Sequence, residues 1–368
     1  MEEWQRTMEA LVNSFWHNRK VLITGHTGFK GSWLALWLQR LGADTHGYSR
    51  SLPSQPSLFD AAGLSSTMQS TRGDICDIAA LRRCMDAFAP EVVFHLAAQP
   101  IVRESYLDPA ATYQTNVMGT LNVLECVRSC PSVRAVVVVT SDKCYENQEW
   151  PWPYRETDHL GGHDPYSSSK ACAELVVRCY SNSFFRSAGG RQVAIATARA
   201  GNVLGGGDWA KDRLIPDTVR AFAAGETVRI RSPHAIRPWQ HVLEALNGYL
   251  ILAERLLLEG NSYSGPWNFG PATMDLKPVE WIVATLAGNW GEGARWECTP
   301  SDGVHEANIL KIDWSKAAAG LGWKPALGLA RSLEWVTQWY KGFYLGRNAR
   351  DLCFEQLAAF SELATLEL

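Results

Sequence analysis

The chain has 368 residues, 46% hydrophobic and 20% charged. This globular balance excludes a disordered or fibrous protein and allows two domains, or one α/β unit with an appended lobe. Lys and Arg number 35 against 38 Asp and Glu, a formal charge of −3, which leaves no electrostatic case for nucleic acid or an anionic membrane as partner. The nine cysteines include no CxxC pair and read as free thiols of a reducing compartment. The acidic start MEEWQRTMEALVNSF lacks a signal-peptide core, and no run is long enough for a membrane span, so a soluble cytoplasmic protein is expected.

In chain order, Lys20–Thr24 is a short apolar strand ending at Gly25. Trp33, Leu34, Trp37, Leu38 and Leu41 follow at the spacing of one buried helix face. Ala43–Arg50 reads as a second strand, Asp77 as the cap of a helix carrying Leu81, Cys84, Met85 and Phe88, and Val92–Leu96 as a buried strand. A long helix is expected from about Pro109 to Cys130. The four consecutive valines of Arg134–Thr140 mark a parallel-sheet strand, a helix starts near Pro165, and Gln192–Ala198 is a further strand. This alternation predicts an α/β fold, a Rossmann-type doubly wound parallel sheet with a smaller C-terminal α/β substrate lobe. Residues 1–204 form the expected dinucleotide-binding domain, rejoined by part of 233–272, and 205–368 form mainly the substrate lobe. Gly205–Gly207 reads as a flexible break between them. Beyond it come a helix at Asp217–Ala224, a strand at Val228–Arg231, a helix at Val242–Leu258, and helices after Leu327.

The loop Gly25-His-Thr27-Gly28-Phe29-Lys-Gly31 is a GxxGxxG between the first strand and first helix. Its glycines allow a tight turn and close backbone approach to a pyrophosphate, which the helix N-terminus binds. The second strand ends Tyr48-Ser49-Arg50 without the acid that usually holds an adenosine ribose. Arg50 suits a 2′-phosphate or is a solvated charge, so NAD is expected without excluding NADP. Asp74, followed by Ile75, is placed for the adenine.

Tyr166-Ser-Ser-Ser-Lys170 is a YxxxK whose two side chains share one helix face. A neighbouring ammonium and an oxidised nicotinamide both favour the phenolate, predicting a lowered Tyr166 pKa. The strand ending at Thr140 is followed by Ser141-Asp142-Lys143, a hydroxyl, a carboxyl and an amine at the edge where open α/β sheets bind ligands. An acid and a base beside a hydride acceptor suggest chemistry beyond simple oxidation. No metal site is expected: His159 and His163 flank two glycines in an irregular loop.

Taken together, Gly25–Gly31, His95-Leu96-Ala97-Ala98-Gln99, Asn116 and Tyr166/Lys170 resemble the extended short-chain dehydrogenase/reductase family, which includes nucleotide-sugar epimerases and dehydratases. Thr140–Tyr145, Gly161–Lys170, Gly201–Trp209 and Arg237–Val242 look most like the family's 4,6-dehydratases acting on CDP-glucose, the Asp142-Lys143 pair above all. The resemblance implies oxidation by Ser141, Tyr166 and Lys170, and elimination served by Asp142 as acid and Lys143 as base. It implies NAD contacts from the glycine loop, Leu96–Gln99, Asn116, Thr140 and Arg199. It also implies a nucleotide sugar held by Ser141, Asn202, Arg213, Leu214, Ile215, Arg229, Arg231, Arg237 and His305, and a homodimer or homotetramer through the YxxxK helix and the Pro109–Cys130 helix. A sugar-nucleotide 4-epimerase, a dehydratase of another nucleotide sugar and a non-catalytic dinucleotide-binding regulator are the alternatives.

Overall fold

Short runs of branched apolar residues, buried on both faces, become parallel strands; all five residues of Ala135–Val139 are buried. The computed structural model describes residues 15–186, 191–299 and 309–366. Seven strands form one sheet: β1 (Lys20–Thr24), β2 (Asp44–Ser49), β3 (Gln69–Arg72), β4 (Val92–His95), β5 (Ala135–Val139), β6 (Ala194–Ala200) and β7 (Gly265–Phe269). Their spatial order is β7-β6-β5-β4-β1-β2-β3, all parallel. The winding direction reverses between β1 and β4, which opens a crevice at their carboxyl ends. One core face gathers Trp33, Val137, Leu246 and Trp339, and the other Leu22, Leu124 and Val136.

The helices that bear on the crevice are α1 (Phe29–Arg40), α2 (Ile78–Phe88, capped by the Asp77 carboxylate), α3 and α4 (Pro165–Tyr180). The expected long helix α3 is present, but it is built of Pro109–Tyr113, a π turn at Gln114–Met118, and Gly119–Ser129. The π turn carries Asn116, and such turns gather at functional positions. In α4, Asp164 caps the start through the Ser167 amide at 2.9 Å, and Pro165 occupies the first turn where no amide partner is needed.

The second lobe contains α5 (Leu214–Ala223), a two-stranded parallel ribbon of Thr227–Ile230 with Arg295–Cys298, and a helix at Val279–Trp290. The helix Val242–Glu259 packs on β5 and β6, and β7 pairs with β6, so this part of the chain belongs to the large sheet. The chain ends in helices Leu329–Tyr344 and Ala349–Leu366, and the latter returns to α1, where Phe360 meets Trp37 edge-on at 5.7 Å.

Gly205–Gly207 is not a flexible break. All three glycines are buried. A Cβ on Gly206 would lie 2.0 Å from the Trp339 ring, and the Gly206 carbonyl accepts from the Trp33 indole at 2.9 Å. Val242 and Phe29 crowd Gly205 in the same way, and Leu58 crowds Gly207. Among the described residues, no helix is long and apolar enough to cross a membrane.

Candidate active site

The glycine loop caps β1 and opens α1. Gly25 has φ +77°, and a Cβ there would lie 2.7 Å from the Ala97 amide nitrogen, so only glycine lets the ends of β1 and β4 come this close. A Cβ on Gly31 would meet the Gly25 carbonyl at 2.2 Å. Gly28 is the N-cap of α1 and no side chain caps it. The helix start therefore offers free amides beside a surface with no room for side chains, which fits a pyrophosphate. Thr27 hydrogen-bonds Ser49 and the Ser51 carbonyl, fixing the loop to the end of β2. His26 points away from this surface: it is buried over Gly47, hydrogen-bonds Ser70 at 2.7 Å, and burial pushes its pKa down to about 4.

Leu96, Ala97, Ala98 and Gln99 are half-buried at the carboxyl edge of β4. Gln99 and Asn116 grip each other: the Gln99 amide donates to the Asn116 side-chain oxygen at 2.8 Å, and the Asn116 amide donates back to the Gln99 carbonyl at 3.0 Å. Asn116 also donates to Ser169 on α4 at 2.9 Å. It thus ties β4, α3 and α4 together at the crevice. Asp74 accepts from the Cys76 amide, Ile75 is buried over Gly119, and Arg50 lies 3.6 Å from Asp74.

Ser141, Asp142, Tyr166 and Lys170 come together at the end of β5, each less than one-tenth exposed. The Ser141 hydroxyl donates to Asp142 at 3.0 Å and accepts from the Lys143 amide at 3.2 Å. Burial raises the Asp142 pKa against the pull of Lys143 and the Ser141 hydrogen bond. Its second oxygen, Oδ2, is buried with no hydrogen-bond partner. Burial pushes the Lys170 amine down to about 8, opposed by Glu174. Tyr166 corrects the sequence expectation. In the protein alone, burial pushes its phenol up to about 12, opposed by a Ser141 hydrogen bond, and desolvation outweighs the neighbouring charges. Lys30, half-buried on the first turn of α1, is pushed down to about 7 by burial and by the nearby charges of Lys170 and Arg213.

Of the expected substrate residues, Arg213 and Arg237 act on this cluster: the charge of Arg213 bears on Tyr166, and that of Arg237 on Asp142. Arg213 is held by Asp208 at 2.9 Å. Asn202, Leu214 and Arg231 are half-buried. Three expectations need correction. Arg229 turns outward, its side chain 73% exposed and paired with Glu297 on the neighbouring ribbon strand. Ile215 is 3% exposed and belongs to the hydrophobic core. Arg199, expected at the cofactor, is buried on β6 and spends its donors on Glu174, the Tyr145 hydroxyl and the Glu156 carbonyl. Thr140 likewise donates to Glu174. His305 lies outside the described residues.

A family model for GDP-mannose 4,6-dehydratase matches residues 22–335. The chain belongs to the GDP-mannose 4,6-dehydratase family. A CDP-glucose 4,6-dehydratase of Salmonella typhimurium is 52% identical over 337 residues, covering 91% of this chain and 94% of that protein. A dTDP-glucose 4,6-dehydratase of Xanthomonas campestris is 26% identical over 342 residues, covering 87% of this chain and 92% of that one. Among solved structures, a Thermus thermophilus UDP-glucose 4-epimerase complexed with NAD superposes with a TM-score of 0.76 at 21% identity, over 88% of this chain and 99% of that one. The seven-stranded Rossmann-type fold of this family member is that of the extended short-chain dehydrogenase/reductases.

Two carboxylates of the site escaped the sequence reading. Asp208 orients Arg213, and Glu174 lies one turn beyond Lys170 on α4. Only the second left a sequence signal, an acid four residues after the lysine of YxxxK. In the Trp150–Tyr154 loop, Tyr154 is buried and stacked on Tyr145 at 5.2 Å, while Trp152 is exposed.

Proposed function

We propose that this protein converts CDP-glucose to CDP-4-keto-6-deoxyglucose with NAD bound in the crevice between β1 and β4. The observation that carries this reading is Asp142: a buried carboxyl whose acid form burial favours, with its Oδ2 buried and without a hydrogen-bond partner, beside the Ser141–Tyr166 pair. A 4-epimerase has no use for such an acid. The identity to a CDP-glucose dehydratase over nearly the whole chain supports the same choice.

NAD held at the glycine loop would supply a hydride acceptor for C4 and, once reduced, a hydride donor for C6. The residues of the chain do the rest. Tyr166 removes the proton of the sugar 4-hydroxyl, which Ser141 orients. The Ser141 hydrogen bond and the charge of Arg213 favour the phenolate that burial opposes, and Lys170, one turn along the same helix and charged at neutral pH, adds to them. The resulting 4-ketone acidifies C5, whose proton Lys143 takes as base. Asp142 then gives its proton to the departing 6-hydroxyl, and water leaves; when hydride has reached C6, the proton held by Lys143 returns to C5, and the one held by Tyr166 restores Asp142 through solvent. Net redox change is zero. Arg213, Arg231 and Arg237 offer guanidinium forks for the diphosphate.

Exposed apolar side chains mark α3 and α4: Tyr113, Met118 and Leu175, beside Tyr106 and Leu107 at the end of the short helix Val102–Leu107. Pairing these helices with those of a second copy covers that surface and gives a homodimer. The unpaired state of all nine cysteines accords with a cytoplasmic setting. Incubation with NAD and, separately, CDP-glucose, dTDP-glucose, UDP-glucose and GDP-mannose tests the function. Loss of one water from CDP-glucose is the expected result. An unchanged mass with every donor overturns it.

A further inference from the structure

Tyr166, Lys170 and Glu174 follow one another at single-turn spacing on α4 and so share a face. The Glu174 side chain is 3% exposed and the Arg199 side chain 2%. Arg199 grips the carboxylate as a fork, Nε to Oε1 at 2.9 Å and Nη2 to Oε2 at 2.7 Å. Thr140, at the end of β5, donates to Oε1 at 2.5 Å, and Thr197 of β6 to Oε2 at 2.7 Å. The remaining Arg199 nitrogen donates to the Tyr145 hydroxyl at 2.9 Å, which donates to Asn268 of β7 at 2.7 Å. Two strands and the Tyr166 helix thus meet on one carboxylate, and the residue after Thr140 is Ser141.

A buried ion pair is costly to desolvate, and apolar side chains of the same volume would hold three elements together as well. Its use lies in what it faces. Lys170 is surrounded by Tyr166 and Glu174 of its own helix, Lys30 of α1, His95 at the end of β4, and the Val139 carbonyl and Cys144 from the β5 end. Burial keeps His95 neutral and Cys144 a thiol, whereas Arg199 and the threonine hydrogen bonds hold Glu174 ionised against its burial. Glu174 is therefore the anion facing Lys170, and Arg199 is the cation that balances it.

We propose that Glu174 and Arg199 are a positioning pair for the oxidation step, fixing the Ser141 end of β5 against the Tyr166 helix and setting the charge of Lys170. This rests on the reading of Tyr166 and Lys170 as the oxidation pair.

The test is the alkaline fall of kcat in Glu174→Gln, Arg199→Gln and the double variant, with Arg199→Lys as the charge-keeping control. Glu174→Gln leaves an unbalanced cation, so Lys170 loses its proton earlier and the fall moves down by about one pH unit. Arg199→Gln leaves an unbalanced carboxylate and moves it up by about as much. The double variant and Arg199→Lys return it to the wild-type position. A merely structural pair lowers the melting temperature while the fall stays in place, or moves the same way in both single variants; either result overturns the proposal.

The same titration is read without turnover, as the stability difference between each background and its Lys170→Met derivative against pH. The protonated, buried Lys170 destabilises the fold at low pH; that penalty begins to lift as pH rises past about 8 and is gone at the ordinary lysine value of 10.5. The pH at which the penalty begins to lift should move in the same two opposite senses. A protein that yields no product from nucleotide sugars fails the function reading, and this second readout still decides the pair. Should a single variant not fold, Thr197→Val decides: withdrawing one donor from Glu174 moves the fall upward, by less than Arg199→Gln, and an unmoved fall contradicts the proposal.

Discussion

The Arg50 guanidinium lies 3.6 Å from the Asp74 carboxylate at the β2–β3 end of the crevice. An exposed pair of this kind adds little to stability, and we expect it to act instead on which dinucleotide this end of the crevice accepts. A 2′-phosphate drawn to Arg50 meets the Asp74 charge as well. We therefore expect NAD to bind at least tenfold more tightly than NADP, measured by quenching of tryptophan fluorescence, and Asp74→Asn to narrow the gap. Equal affinities in the wild type would contradict this.

Asp142 and Lys143 should be separable from Tyr166. Asp142→Asn keeps the shape but has no acidic proton, so dehydration should fall by about 100-fold or more. Lys143→Met should lose dehydration while partial oxidation at C4 persists. Single-turnover mixing that follows reduced-nicotinamide absorbance and product together reads both steps. Equal loss of oxidation and elimination in either variant refutes the division of roles.

Three buried histidines make the fold sensitive to acid. Burial pushes His26 to about 4 and His95 and His241 to about 3, from an ordinary 6.5. The unfolded chain takes up these protons first. The associated stability is complete above that ordinary value and is lost as pH falls from it towards the folded values. Each residue should contribute about 1 kcal/mol per pH unit over that window. His95, held between Thr24 and Thr120, is the cleanest to test. Urea midpoints of His95→Gln should fall less steeply than wild type below neutrality, and parallel curves would refute the assignment.

Gly206 and Gly288 should respond oppositely to alanine. The methyl of Gly206→Ala drives into the Trp339 ring, whereas Gly288, on the helix Val279–Trp290, has nothing within 4 Å of its Cβ position. Gly206→Ala should cost about 1–3 kcal/mol by overpacking, and Gly288→Ala should stabilise by roughly 0.5–1 kcal/mol. Chemical denaturation of both variants checks the pair, and a neutral Gly206→Ala would mean that the rings yield.

The central strands were legible in the sequence because both their faces are buried, which leaves runs such as the valines before Val139. The two edges of the sheet were less so: polar β3 (Gln69–Arg72) was legible only as a strand ahead of Asp74, without bounds, and β7, which begins Gly-Pro as an edge strand tolerates, was not legible. The π turn around Asn116 has no spacing signature of its own. Ser141, Tyr166 and Lys170 were readable because helix spacing and strand ends fix where they point. Arg199 and Arg229 were assigned to ligands because a sequence shows a guanidinium but not its partner. Glu174 and Glu297, 25 and 68 residues away along the chain, take them up.

The central claim is that hydrogen leaves C4 and returns to C6 of the same sugar while water is eliminated. Turnover of CDP-glucose carrying deuterium at C4, with the product read by mass and NMR, tests it most directly. The account predicts a 4-keto-6-deoxy product, lighter by one water, with the deuterium at C6. A product of unchanged composition that still carries deuterium at C4 would contradict it and would make this protein an epimerase.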